Sequence, residues 1–516
     1  MPKIYHESTT SLYIVNPNPY GYKVAVHASC ICNELKALTN RHLVDRTDIG
    51  FDKKAWERNA RLSMKFFPKD LKPVTYKEVL DAYNGPKKRM YKDAAASLQL
   101  HGYKEQYAHV SMFIKPDKLP KQACEEKDPR GIQFRSPHFN LELSRYIKAY
   151  EHEFYSTCSA GTISGTRVVA KGLNNYQRAE LLMRKVNSFK RPIYLMVDHS
   201  RFDSTVNETH LKTCHKKYQR AFRSKRLQHF LNCQLTNTCF SKGGIRYRSN
   251  ATRMSGDSDT GCGNTEIAID AILMFLRECD ITVYDFILDG DDAVIILEEH
   301  DLQKIQLHQF ARAGFRTKVE ITSNLHEVDF CQCRIIPSIP LMVRNPERAL
   351  SNMMVSLRRY DDYTPWVASV GACEAAINAG APILGPIGFK LSQLTDERVV
   401  DPDLQFKMAN GGRKYKPPDI QARLEYEEAW GVDVQTQLDM EATFNTSLSF
   451  KTLKYKQARK LSNSALKQYR QYADAAILRA SQAFESLAEC SGSSWWSSCP
   501  AGPKLPYQQG NAGSNS

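Results

Sequence analysis

The sequence predicts an α+β fold assembled from two or three packed subdomains. Three observations lead there. The chain has 516 residues, more than a single hydrophobic core usually serves. Several stretches carry apolar residues at helical spacing, Asn264 to Arg277 most clearly. Between them stand short, continuous apolar runs at 193–197, 286–288 and 293–297, bounded by turn residues, as buried strands are.

In chain order, the first seventy residues mix brief apolar runs with many basic residues and define few elements. From Thr75 to Leu98 the spacing turns helical, with a break at Gly85-Pro86. Val110 to Ile114 reads as a strand leading into a basic, proline-punctuated loop, and Asn140 to Phe154 as a helix. Pro192 opens the apolar run IYLMV, which ends on Asp198. Phe286 to Leu288 and Ala293 to Leu297 are strands joined by Asp289-Gly290-Asp291-Asp292, a hairpin signal in which glycine supplies the turn geometry. Leu302 to Ala313 is expected to be helical, and Phe315 to Ile321 and Phe330 to Ile336 to be strands. Beyond Arg348 the chain is helical in character and increasingly basic, as at Lys451 to Lys467. Residues 491–516, rich in Ser, Gly, Pro, Asn and Gln, are expected to be disordered.

Hydrophobic (42%) and charged (25%) fractions are ordinary for a globular protein. The 71 Lys and Arg against 56 Asp and Glu leave +15, which favours a polyanionic partner, either nucleic acid or an acidic membrane surface. Charge alone does not choose between them. The start, MPKIYHESTT, carries no basic-then-apolar leader, so the 14 cysteines read as reduced, mostly buried thiols. Neither Cys30-Ile-Cys32 with His27 nor Cys331-Gln-Cys333 has the spacing of a zinc knuckle. No membrane span is expected, because the most apolar stretch, 367–391, is interrupted by Glu374, Asn378 and two prolines.

The carboxylates are the unusual feature. Asp198 closes one apolar strand, and Asp291 and Asp292 sit in a hairpin turn. Strand ends and tight turns let such groups converge without burying unpaired charge inside a sheet. Converging carboxylates are what nucleotidyl transfer requires, since hard oxygen ligands hold the two Mg²⁺ ions, about 3.5–4 Å apart, that drive it. Gly-Asp-Asp alone is weak, arising by chance in about one chain in ten of this length. Its company is stronger. Between the two carboxylate sites lies MSGDSDTGCGN, residues 254–264, a glycine-rich loop opening the helix at Asn264.

The ordered set, Asp198-x-x-x-x-Asp203, then Ser255-Gly with Thr260 and Asn264, then Gly290-Asp291-Asp292, resembles motifs A, B and C of positive-strand RNA virus RNA-dependent RNA polymerases. The wording DHSRFD (198–203), MSGD (254–257) and GNT (263–265) is similar to the tombusvirus and carmovirus group. So are YNGPK (83–87) with Tyr91 and Ala94, FIKPDK (113–118), DPRGIQFRSP (128–137) with Asn140, Arg145 and Tyr146, GFRTKVE (314–320) and FCQ (330–332). The resemblance covers roughly 75–345. Gly131 and His199 depart from the group's commoner residues, neither at a position that carries the chemistry.

The resemblance implies a right-hand polymerase. Fingers would come from 1–190 with an insertion at 225–250, the palm (an antiparallel sheet backed by helices) from 191–224 and 251–345, and a helical thumb from 346–490. Asp198, Asp291 and Asp292 would hold Mg²⁺, with Mn²⁺ able to substitute. Asp203, Ser255, Thr260 and Asn264 would contact the incoming ribonucleoside triphosphate, chiefly its ribose. Polar partners for the 2′-hydroxyl argue against a reverse transcriptase. Lys115, Lys118, Arg130 and Arg135 would meet the triphosphate, and Lys318 would be the general acid for pyrophosphate. Phe330 to Ile336 would form the turn that grips the product strand. Implied partners are RNA template and product and a viral or host membrane-anchoring replication protein, at membrane-bound complexes in the host cytoplasm. A non-catalytic RNA-binding scaffold is the alternative from another class, but a scaffold has no reason to keep Asp198, Asp291, Asp292 and Asn264. A jelly-roll capsid protein would need regular short strands that the chain lacks.

Overall fold

The computed structural model describes residues 11–15, 20–43 and 49–454. Its centre is a four-stranded antiparallel sheet in the order Thr317–Thr322, Pro192–His199, Asp292–Glu298, Tyr284–Asp289. The apolar runs form strands here because both faces are covered, so successive residues find a core on either side. On one face Leu195, Val197, Phe286, Leu288, Ile295 and Leu297 pack with Ile267, Ala271 and Phe275 of the helix Thr260–Glu278. On the other, Tyr194, Ile287, Val294 and Ile296 meet Leu181 and Leu182 of Asn175–Val186, together with Ile335 and Met342. The helix Thr260–Glu278 is buried at every position from Cys262 to Leu276, its two inner carboxylates, Glu266 and Asp270, facing the buried Lys217 amine.

A second sheet has the order Gly131–Arg135, Val110–Ile114, Thr236–Ser241, Arg246–Asn250, with one parallel pair, Val110–Ile114 with Thr236–Ser241. The chain thus leaves the central sheet after His199 and passes through Glu208–Phe222 and Lys225–Asn232. It adds a hairpin to strands from the N-terminal part and returns through 251–259 to Thr260–Glu278.

Among the described residues six helices follow Arg344, from Pro346–Met353 to Val434–Thr443, and enclose their own core of Trp366, Leu384, Ile387 and Tyr426. Thr364–Ile377 and Leu384–Ser392 cross where Gly371 and Gly388 meet. A Cβ on Gly371 would lie 2.6 Å from the Leu391 Cβ, and one on Gly388 2.6 Å from the Ala375 nitrogen. None of the described cysteines forms a disulfide, and no described helix is long and apolar enough to cross a membrane.

Four expectations need correction. The helix at Leu302 to Ala313 is instead a 3₁₀ segment, Glu299–Lys304, and a short helix, His308–Arg312. Leu302 and Leu307 face solvent, and within this stretch only Gln309, Phe310 and Ala313 are buried, too few to hold one continuous helix on the core. The strand expected from Phe330 begins only at Cys333, because Cys331 and Gln332 take positive φ in a turn closed by the Phe330–Cys333 bridge. The strand expected from Phe315 begins at Thr317. The described start of the expected Lys451 helix is a strand, Phe450–Lys454, paired with Ser11–Val15; the rest of that segment and the tail at 491–516 lie outside the described residues.

Candidate active site

Asp198 is exposed near the end of Pro192–His199. Gly290, at φ 72°, turns the hairpin that carries Asp291 and Asp292. The register pairs Ala293 with Val197, so one step further Asp292 comes beside Asp198, at neighbouring-strand distance. Across the other edge of Pro192–His199, Lys318 pairs with Asp198. Two strands and one turn therefore deliver three carboxylates to one end of the sheet.

For Asp291 and Asp292, burial and the neighbouring carboxylates outweigh the cations nearby. Burial, then Asp203, Asp292 and Asp198, push the Asp291 carboxyl up to about 7. Burial, Asp198, Asp289 and Asp329 raise Asp292. Asp289, two residues before Asp291, is treated differently. Burial would raise it, but Lys171 at 2.6 Å and Arg178 hold it below its ordinary value. None of Asp198, Asp291 and Asp292 takes part in an ion pair among the described residues. One carboxylate in the turn is satisfied by protein cations while its neighbours repel one another, an arrangement that a bound cation would relieve.

Hard oxygen donors of this kind fit Mg²⁺ or Mn²⁺. The three do not form a tight single-ion cage, since among the described residues only Glu105, His229 and Cys233 bring three ligand atoms within 4.8 Å of one another.

Beside the carboxylates, Asn264 Nδ2 donates to Asp203 Oδ1 at 2.7 Å, and the Asn264 amide oxygen is buried without a partner. Burial raises the Asp203 carboxyl, against Asn264, Arg253, Arg130 and Arg41. The next residue, Thr265, accepts at Oγ1 from the Gly290 backbone at 3.2 Å. Thus the first turns of Thr260–Glu278 brace both the Asp203 segment and the carboxylate hairpin. The preceding loop is fixed from behind. Gly256 N donates to the Gln133 carbonyl at 2.6 Å, an approach that a side chain at Gly256 would block. Ser255 Oγ accepts from Gln133 N at 3.1 Å and keeps its proton to offer, whereas Thr260 Oγ1 donates its own to the Met254 carbonyl at 2.6 Å.

The expected triphosphate contacts divide. Arg130 is exposed and Lys115 half-exposed, both facing Asp117 at 3.7 and 3.1 Å. Arg41 lies in the field of Arg130 and Arg201, so a basic cluster borders the Asp203 side. Arg135 does not belong to it. It is 1% exposed, with Nε 3.0 Å from both Asp257 oxygens and further donors on Asn237 and the Ala108 carbonyl. Its fork is spent inside the protein, which corrects the triphosphate role. Lys118 is corrected likewise. Its amine donates to the Val355 and Asn352 carbonyls, and burial with Lys407 nearby pushes its pKa down to about 8. Lys318 is exposed and bonded to Glu320 at 2.5 Å.

Sequence reasoning missed Arg41, Lys171, Arg178 and Arg201. Arg201 stood inside DHSRFD, and its left-handed φ of 54° is a strained position. The others are far from the motifs in the chain, and no local signal marked them.

A family model described as viral RNA dependent RNA polymerase matches residues 2–449. The RNA-directed RNA polymerase of Tobacco necrosis virus (strain A) is 31% identical over 394 residues, 72% of this chain and 54% of that protein. Those of Carnation mottle virus and Turnip crinkle virus are each 28% identical, covering 85% and 72% of this chain and 61% and 50% of theirs. The chain spans about half the length of the curated relatives it matches.

Proposed function

The chain belongs to the viral RNA-dependent RNA polymerase family, and from that premise we propose that it synthesises RNA on an RNA template, adding ribonucleoside triphosphates to a 3′ end with release of pyrophosphate. The observation that carries this reading is the set of unpaired carboxylates, Asp198, Asp291 and Asp292, at one end of the central sheet. They would hold Mg²⁺ or Mn²⁺. When bound, the ions activate the 3′-hydroxyl and neutralise the departing pyrophosphate.

This chain's own groups do the rest. Asp203 and Asn264, already joined, offer an acceptor and an orphaned amide oxygen to ribose hydroxyls, and the Ser255 proton is near the same loop. A deoxynucleotide would leave these buried groups unpaired, and that cost selects ribonucleotides. Arg130 and Lys115, with Arg41 and Arg201, are the guanidinium and ammonium groups for the triphosphate. Lys318, opposite Asp198, is the candidate acid that protonates the leaving pyrophosphate.

The corresponding architecture is a right hand. Fingers comprise 1–190 and 225–250, the palm 191–224 and 251–345, and the thumb 346–490. The excess of basic residues would grip template and product phosphates without reading sequence. A membrane-anchoring viral or host protein would bring the enzyme to replication complexes in the host cytoplasm.

The test is incorporation of labelled nucleotides on a short single-stranded RNA with Mg²⁺ or Mn²⁺. Template-dependent incorporation of ribonucleotides over deoxyribonucleotides is expected. RNA binding without incorporation under either metal would favour a scaffold.

A further inference from the structure

Glu105, His229 and Cys233 form a second cluster of metal-ligating side chains, outside the carboxylate site. His229 and Cys233 are four residues apart, on the last turn of Lys225–Asn232 and at its C-cap, so one helix face presents an imidazole and a thiol together. Glu105 begins the 3₁₀ turn Glu105–Ala108 and places Oε1 3.4 Å from His229 Nε2. One ligand atom from each residue lies within 4.8 Å of the other two.

A second observation points to a ligand here. The Tyr103 hydroxyl is buried with no hydrogen-bond partner. Its ring stands edge-on to His229 at 5.7 Å, and the phenol feels both Cys233 and Glu105. An orphaned buried hydroxyl is costly, and this one stands beside the same cluster.

We propose that Glu105, His229 and Cys233 bind one thiophilic divalent ion of the Zn²⁺ class, with water in the fourth position. Thiolate and imidazole are soft ligands that Mg²⁺ does not favour, so this ion differs in class from those of the carboxylate site. Tetrahedral zinc ligands at roughly 2.0–2.3 Å stand about 3.5 Å apart. Glu105 and His229, the two exposed members, would rotate to reach that spacing. Binding releases the Cys233 proton. The bound ion ties the turn before Val110–Ile114 to Lys225–Asn232, next to the ring contact of Tyr103 and Phe230 at 5.2 Å.

The test uses the full chain, stripped with chelator and titrated with Co²⁺ and then Zn²⁺ without RNA or nucleotide. One equivalent of Co²⁺ should give a thiolate charge-transfer band that Zn²⁺ abolishes and a large excess of Mg²⁺ does not. Cys233→Ser should remove the band, and His229→Ala and Glu105→Gln should each weaken binding about tenfold. Absence of the band in the wild type, or its persistence in a folded Cys233→Ser, overturns the proposal. Should Cys233→Ser fail to fold, unchanged affinity in both exposed-residue variants overturns it. The readout is independent of RNA synthesis.

Discussion

Asn264 donates to Asp203 at 2.7 Å across the gap between the helix Thr260–Glu278 and the segment that follows Asp198, and its own amide oxygen is left buried without a partner. A polar pair that is half satisfied at the mouth of a carboxylate cluster is poised for a hydroxyl-bearing ligand. Asn264→Ala should therefore lower the preference for ribonucleotides over deoxyribonucleotides by about 10- to 100-fold, the worth of one or two hydrogen bonds of about 1–3 kcal/mol. Competitive incorporation of matched nucleotide pairs measures it. An unchanged ratio would remove Asn264 from sugar selection.

The Asp291 carboxyl gives a pH signature. Burial and the neighbouring carboxylates push it up to about 7 from an ordinary 3.8, so the fold holds this proton more tightly than the unfolded chain does. That stabilisation is complete below about 3.8 and is lost as pH rises through about 7. A divalent cation competes with the same proton. Apparent Mg²⁺ affinity should rise up to about tenfold per pH unit below 7 and level off above it, as read from Mg²⁺ titrations followed by thermal unfolding between pH 6 and 8. Asp291→Asn should abolish the dependence.

Arg135 and Arg130 should separate structure from substrate binding. Arg135→Ala leaves Asp257 buried and without its cation, a loss of about 3–5 kcal/mol that will appear as a lower unfolding midpoint. Arg130→Ala should leave that midpoint unchanged and raise the nucleotide KM several-fold. The reverse pattern would restore Arg135 as a triphosphate ligand.

Lys318→Ala tests the leaving-group acid. General acid catalysis predicts a fall in kcat of about 10²–10⁴-fold with RNA affinity intact. A kcat within twofold of the wild type would make Lys318 only the surface partner of Glu320.

Asp198, Asp291, Asp292 and the helix at 260–278 were legible in the sequence because their signals are local: apolar runs that end on acids, a glycine turn and sustained helical spacing. The roles of Arg135 and Lys118 were not. A basic residue in a motif reads the same whether it faces a channel or, like Arg135, is enclosed by Asp257, Asn237 and the Ala108 carbonyl. Arg178 was hidden because the partner that gives it meaning, Asp289, is 111 residues away. The strand at Phe450–Lys454 exists by pairing with Ser11–Val15, a contact between opposite ends of the described chain that no local pattern announces. Leu302 and Leu307 misled because each keeps helical spacing with a neighbour, Ile305 and Phe310, while itself facing solvent.

The most direct measurement is ribonucleotide incorporation on single-stranded RNA by the wild type and by Asp291→Asn, with folding and RNA affinity followed in parallel. The account predicts that the substitution leaves folding and RNA binding intact and lowers incorporation by at least about 10³-fold, the loss expected when charge stabilisation at the reacting centre is removed. Incorporation by Asp291→Asn at wild-type rates would contradict it and take the carboxylate cluster out of the chemistry.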